Sequence, residues 1–365
     1  MANFPLTEMA VKMFCPDNVV QLDDAGLPSI LVYIPAFKNS DVLTGGDDSI
    51  HPAFIVNGVQ IPGFYYSKYQ NVVHNGKAYS LPAEDPQTRV TFDNGLEYCE
   101  AKGYGWHRST AAEWAAIALL CKLNGHLPKG NNNYGRDNAE EEYKAIPCTY
   151  DDEGNRTKVA TGTGPVSWSH DNTMSGIWDM NGNVWEAQSG VRTVYGELQI
   201  LANNDAADPD NPQNETSTCW KAINAADGRL VDPECTVSGA PVLTGNTVRL
   251  DYLNSIWTYS TNITNVLESA QSCAFYKVTC SDEISDAAKV LLRALALLPD
   301  KDAIASDYKN ANAAFFNGNA ERYMVRGGRH TTMGNAGVFS LYVNTGRGMT
   351  LSDTGFRAAF IPDIG

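Results

Sequence analysis

The sequence predicts an α+β domain that is rich in loops, built on a small sheet and interrupted by a long insertion. Three observations lead there. Two aromatic and β-branched runs near the start read as strands. A capped helix with an apolar stripe follows them. The chain then turns to short Gly-, Asn- and Trp-rich pieces, which suit turns and brief strands better than a layered α/β domain. Its 365 residues allow two domains or one domain with a long insertion.

Residues 1–27 read as an N-terminal extension and 28–365 as the domain. "SILVYIPAF" (Ser29–Phe37) is the first strand, ended by polar "KNSD", and "GFYYSKYQN" (Gly63–Asn71) is the second. In "TRVTFDNGLEYCEAKGYG" the period changes: Phe92, Leu96 and Cys99 share a helical face, and Gly103 closes the segment. "HRSTAAEWAAIALLCKLNGH" predicts a stronger helix. Thr110 and Glu113 form a T-x-x-E capping box, Trp114, Ile117, Ala118 and Cys121 form a buried stripe, and Asn124-Gly125 is the stop. About 197–320 reads as an elaborated insertion, polar around "ANNDAADPDNPQNETS", with some strand-like pieces and a helix over Ser285–Leu298 stopped by Pro299. No fixed repeat is present, which excludes a solenoid.

Forty-two acidic residues against 27 basic ones give a net charge of −15. With no Lys/Arg run, such a chain has no electrostatic basis for binding nucleic acid or an anionic membrane surface. The start lacks a basic n-region and an apolar h-region, so export by the ordinary secretory route is not expected. The longest apolar run, Val290–Leu298, carries Arg293 and is about half the ~20 residues of a membrane helix. The eight cysteines show no C-x-x-C spacing. Cys99 and Cys121 are expected as buried thiols, whereas Cys219/Cys235 and Cys273/Cys280 are left open as loop disulfides.

Generic catalytic motifs are weak. "TGTGPVSW" has a G-T-G followed by Pro165 rather than a helix, the six histidines have no ligand spacing, and no G-x-S-x-G occurs. "WDMNGNVWE" (Trp178–Glu186) stands apart. It puts Asn181-Gly182 in a tight turn, with Asn183 and Glu186 beside two tryptophans. Those oxygens suit a calcium ion; a hydrogen-bonded turn is the competing reading.

"WDMNGNVWEAQSG" resembles the GNVWEW signature of the formylglycine-generating-enzyme (sulfatase-modifying factor) superfamily. Further segments agree in order: "LVYIPAF", "GFYYSKYQN", "GWHRSTAAEWAAIA", "RYMVRGGRH" and "TGFRAAF". The resemblance covers about Pro28–Gly196 and Glu321–Phe360, and implies a C-type lectin-like fold. It also implies a structural calcium site at Asn183, Val184 (through its carbonyl) and Glu186, with Gln188 at a further, poorly matching position; no other cofactor is required. The family's catalyst is a cysteine pair after the RGG element. Here no cysteine occurs from Arg329 to Gly365, and without a thiolate that oxidation has no nucleophile.

A narrower resemblance covers "RGGRHTTMGNAGVFSLYVNTGRGMTLSDTGFRAAF" (Arg326–Phe360). Variable proteins of diversity-generating retroelements end in a similar frame, with positions randomised at the adenines of AAC or AAT codons. Arg329, His330, Thr331, Thr332, Ser340, Tyr342, Asn344, Thr345, Gly348, Leu351, Ser352 and Asp353 are all reachable from those codons, while Met333 and Met349 are not. On a strand, Ser340 and Tyr342 project opposite Leu341 and Val343. The resemblance implies a non-catalytic protein that uses this variable segment, 326–360, to bind a cell-surface protein or glycan. The expected carrier is a phage tail fibre on the virion, with a bacterial cell surface as the alternative. Residues before Pro28 would join a larger assembly, with a homotrimer as one form. The competing function is a formylglycine-generating-type oxidase relative with altered chemistry, for which only His330 lies in the required region.

Overall fold

The computed structural model describes residues 4–308 and 312–363. Helix α1 (Phe4–Phe14) leads into strand Asn18–Leu22, which pairs antiparallel with Pro28–Pro35. The first sheet continues through Gly63–Ser67 and Ala358–Phe360 to Trp106–Arg108. The chain therefore joins the domain at Asn18, earlier than the expected boundary at Pro28. The two expected strands form, and the last strand closes between Gly63–Ser67 and Trp106–Arg108, so both ends of the domain meet in one sheet.

A one-turn helix α2 (Asn39–Val42) precedes α3 (Phe92–Glu100) and α4 (Ala111–Leu123). The capping box of α4 is present: Glu113 N donates to Thr110 Oγ1 at 3.1 Å, and Thr110 N donates to Glu113 Oε2 at 3.0 Å. The predicted stripe is buried, and so is nearly every other residue from Ala111 to Leu119, because α4 runs through the main core. Trp114 Nε1 donates to Val338 O at 2.7 Å, tying this helix to the strand Gly337–Thr345.

A larger sheet, of twelve strands among the described residues, is centred on Trp185–Val194. On one side lie Glu321–Gly327, Gly337–Thr345, Ala313–Phe316 and Gln271–Ala274; on the other, Glu197–Ile200, Thr244–Leu253 and Ile256–Asn262. The segment 197–320 is thus no appended loop region. It supplies strands on both flanks, and Leu292, Leu295 and Leu297 enter the main core. Helix α5 (Asp286–Ala294) stops before the expected Leu298. The buried Arg326 guanidinium takes the carbonyls of Leu295 (2.9 Å) and Ala296 (3.1 Å), so it caps the helix end where partial negative charge gathers. All eight cysteines are free thiols, so neither of the pairings left open, Cys219/Cys235 and Cys273/Cys280, is formed.

Candidate functional site

The frame of the C-terminal segment is buried on all sides. Gly328 has φ +96, and a Cβ there would stand 2.6 Å from that of Ala336, so the second glycine of RGG is sterically required. Arg357 of GFRAAF is fully buried. Its Nε reaches Glu186 Oε2 at 2.6 Å and its Nη2 reaches Oε1 at 2.9 Å, a bidentate pair. The same guanidinium donates to the carbonyls of Trp178, Ser67 and Lys68, which links both sheets.

This arrangement does not fit the calcium site expected at Asn183, Val184 and Glu186. A guanidinium already neutralises Glu186, whose Oε1 also accepts from Gln70 Nε2 at 3.0 Å. Asn183 Oδ1 accepts from Val159 N (2.8 Å) and Asn131 Nδ2 (3.1 Å), and the Val184 carbonyl accepts from Gln70 Nε2 (3.2 Å). The oxygens that would face an ion are consumed, and a fixed positive charge sits beside them. Gln188 is likewise taken up, its Oε1 accepting from Ser109 Oγ at 3.1 Å. The hydrogen-bonded-turn reading of this motif is the one the geometry supports.

Above the frame, two clefts open side by side. One, of about 250 Å³, is lined by Trp185, Phe315, Arg329, Thr331, Thr332, Asn335, Tyr342, Leu351 and Asp353. Its floor is aromatic: Tyr342 stacks on Trp185 with centroids 5.3 Å apart, and Phe315 stands edge-on to Trp185 at 6.5 Å. The second, of about 530 Å³, shares Arg329, Thr331 and Asp353 and adds His330 and Ser352. Its far wall is scaffold: Thr88, Arg89, Tyr134, Thr149, Tyr150, Asp151, Thr157 and Lys158. An ion pair between Arg329 and Asp353 divides the clefts. Burial holds the His330 imidazole below its ordinary pKa, which favours the neutral ring.

The loops carrying these side chains are pinned through main-chain atoms. Tyr134 N donates to His330 O (2.8 Å), His330 N to Asn183 O (3.2 Å) and Met333 N to Asn132 O (2.8 Å). Arg89 N donates to Leu351 O (2.9 Å) and Trp185 N to Asp353 O (2.8 Å). Bonds of this kind do not depend on which side chain occupies the position.

Arg329, His330, Thr331, Thr332, Tyr342, Leu351, Ser352 and Asp353 are brought together around the two clefts. Ser340 is not: it is fully buried, donating through Oγ to Ala313 O at 3.2 Å in the adjacent strand. Tyr342 escapes burial two residues further along the same strand. Thr345 is also buried. Asn344 donates to Tyr342 Oη at 2.8 Å and supports the floor from outside the clefts, and Gly348 is exposed beyond them. Trp185, Phe315, Arg89, Tyr134, Tyr150 and Lys158 were missed as site residues. Trp185 had a signal in WDMNGNVWE; Phe315 lies on the strand Ala313–Phe316 and the others on loops distant in sequence, none of them with a signal.

Residues 51–215 match the family model of the sulfatase-modifying factor enzyme 1-like domain. No curated protein matches the chain. Among solved structures, variable protein 1 of Treponema denticola is similar at 11% identity and a TM-score of 0.34, over 94% of this chain and 99% of its own. A Major Tropism Determinant P3c variant is similar at 9% identity and a TM-score of 0.28, over 94% of this chain and 71% of its own.

Proposed function

We propose, from the premise that the chain carries a C-type lectin-like domain of the sulfatase-modifying factor type over residues 51–215, that it is a non-catalytic ligand-binding protein. Its C-terminal segment is diversified by a retroelement, and its ligand is a protein or glycan on a cell surface. One observation carries the reading. Residues reachable from a randomised codon gather around two adjoining clefts, on loops held by main-chain bonds that tolerate any side chain. A pre-ordered backbone presenting changeable side chains binds without paying for loop ordering, the principle behind a paratope. No cysteine lines either cleft, in keeping with a binding role rather than the family's thiol chemistry.

The carrier is a phage tail fibre on the virion, with a bacterial cell surface as the alternative. Leu6, Met9, Met13 and Phe14 of α1 are exposed, which supports residues before Pro28 as the attachment to a larger assembly or to two further copies in a homotrimer. The net charge of −15 argues against nucleic acid as partner.

The test is genomic and biochemical. A near-copy of the DNA for Arg326–Phe360, differing at adenines and lying beside a reverse-transcriptase gene, is expected. Related chains should vary at Thr331, Tyr342, Leu351 and Ser352 while the frame stays constant. Constancy at those positions with drift in the frame would sink the proposal, as would turnover of a thiol substrate by purified protein carrying about one equivalent of iron or copper.

A further inference from the structure

Lys68 lies just beyond the strand Gly63–Ser67 and is 1% exposed. Its ammonium nitrogen is met by neutral groups: it donates to Asn18 Oδ1 at 2.5 Å, to Met174 O at 2.5 Å and to Cys15 Sγ at 3.2 Å. The Cys15 thiol donates to the same Met174 carbonyl at 3.2 Å. A buried ammonium without a paired carboxylate is costly, and desolvation accordingly lowers the Lys68 pKa and favours the free amine. Asp171 is the nearest acid felt by this group, and its carboxylate is occupied by Thr173 and Ser169. The Lys68 nitrogen and the Cys15 sulfur thus lie 3.2 Å apart where α1 meets the first sheet.

The geometry points to a modification site here: oxidation of Cys15 by a peroxide, followed by capture of the sulfur by Lys68 as a covalent sulfur–nitrogen cross-link. In the first step the Cys15 sulfur attacks one peroxide oxygen. An S–O bond forms, the O–O bond breaks, and the departing hydroxide takes the thiol proton and leaves as water. Sulfur is oxidised to a sulfenic acid and the peroxide is reduced. In the second step the Lys68 amine attacks the sulfur, the S–O bond breaks, and the hydroxyl leaves with one amine proton as a second water. Thiol, amine and one peroxide become the link and two waters. Condensation of a sulfenic acid with nitrogen is known protein chemistry, and a thiol reverses it. Cys15 is 8% exposed and sits at the end of α1, whose neighbouring residues Met13 and Phe14 are exposed. The link would fasten the end of α1 to the domain, and this inference does not depend on the proposed binding function.

The full chain is treated with hydrogen peroxide, alkylated, digested without reductant and analysed by mass spectrometry. A Cys15–Lys68 peptide pair about 2 Da lighter than the sum of its parts is expected, returning to two separate peptides with dithiothreitol. Dimedone, which traps free sulfenic acid, should label Cys15 weakly in the wild type and strongly in Lys68→Met. If Cys15 is alkylated equally before and after peroxide, or ends as a sulfinic acid with Lys68 free, the proposal is overturned. Both of those readings come from the wild-type chain, so they stand even if the variant does not fold.

Discussion

Arg357 and Glu186 show how one residue can take the place of a bound ion. Replacing Arg357 with Met leaves a carboxylate fully buried without its partner, and should cost about 3–5 kcal/mol by urea unfolding, with partial recovery in the Arg357→Met/Glu186→Gln pair. For the same reason, added calcium or a chelator should leave the melting temperature unchanged; a clear rise with calcium would show that the ion displaces these internal partners. The candidate site residues divide by the same logic. Tyr342→Ala removes a wall of the aromatic cleft and a stacking partner worth about 1 kcal/mol, so cell-binding should fall far more than stability. Ser340→Tyr should do the reverse and destabilise by about 1–3 kcal/mol, because the Ser340 side chain is fully buried and overpacking costs that much. Alternation along the strand was legible in the sequence. That Ser340 would be fully buried while Tyr342, two residues on, stays partly exposed was not.

At the scale of elements, helix starts were legible and some ends were not, for a physical reason. The N-terminal cap of α4 is local: Thr110 and Glu113 are three residues apart, so the pattern can be read off the chain. Thr110→Ala should cost about 1–2 kcal/mol, at the upper end because its hydroxyl also reaches Asn204 Oδ1 at 2.5 Å, which a thermal melt would detect. The C-terminal cap of α5 comes from Arg326, about thirty residues downstream, and no window around the helix contains it. The insertion was legible in part, for the same reason. Its polar composition described its turns, while its strands are defined by pairing with Trp185–Val194 and Gly337–Thr345, partners far off in sequence. The larger cleft follows suit: one wall belongs to the contiguous segment 326–360 with its recognisable frame, and the other is assembled from loops around residues 88, 134 and 150.

For the molecule as a whole, the buried titratable groups set how stability depends on pH. His51 is fully buried, accepting from Ala53 N through Nδ1 and donating to Ala294 O through Nε2 at 2.7 Å; burial pushes its pKa down to about 4. His170, with Nδ1 accepting from Ile177 N at 2.9 Å, is pushed down to about 4 by the same cause. Each ring is neutral in the folded state and takes up a proton on unfolding between about pH 4 and 6.5, so their contribution is complete above pH 6.5 and is lost as pH falls toward 4. Asp179 acts in the opposite sense. Burial raises its carboxyl to about 6, so it favours the fold below about pH 4 and loses that contribution as pH rises through 6. Two histidines against one aspartate leave a net uptake of protons on unfolding through this window. Stability should therefore be greater at pH 7 than at pH 5, by about 2–3 kcal/mol from these three groups, measured by urea unfolding at the two values. His51→Gln should flatten the difference even as it lowers stability at pH 7, and an unaltered pH slope in that variant would show that the His51 ring is not the group responsible.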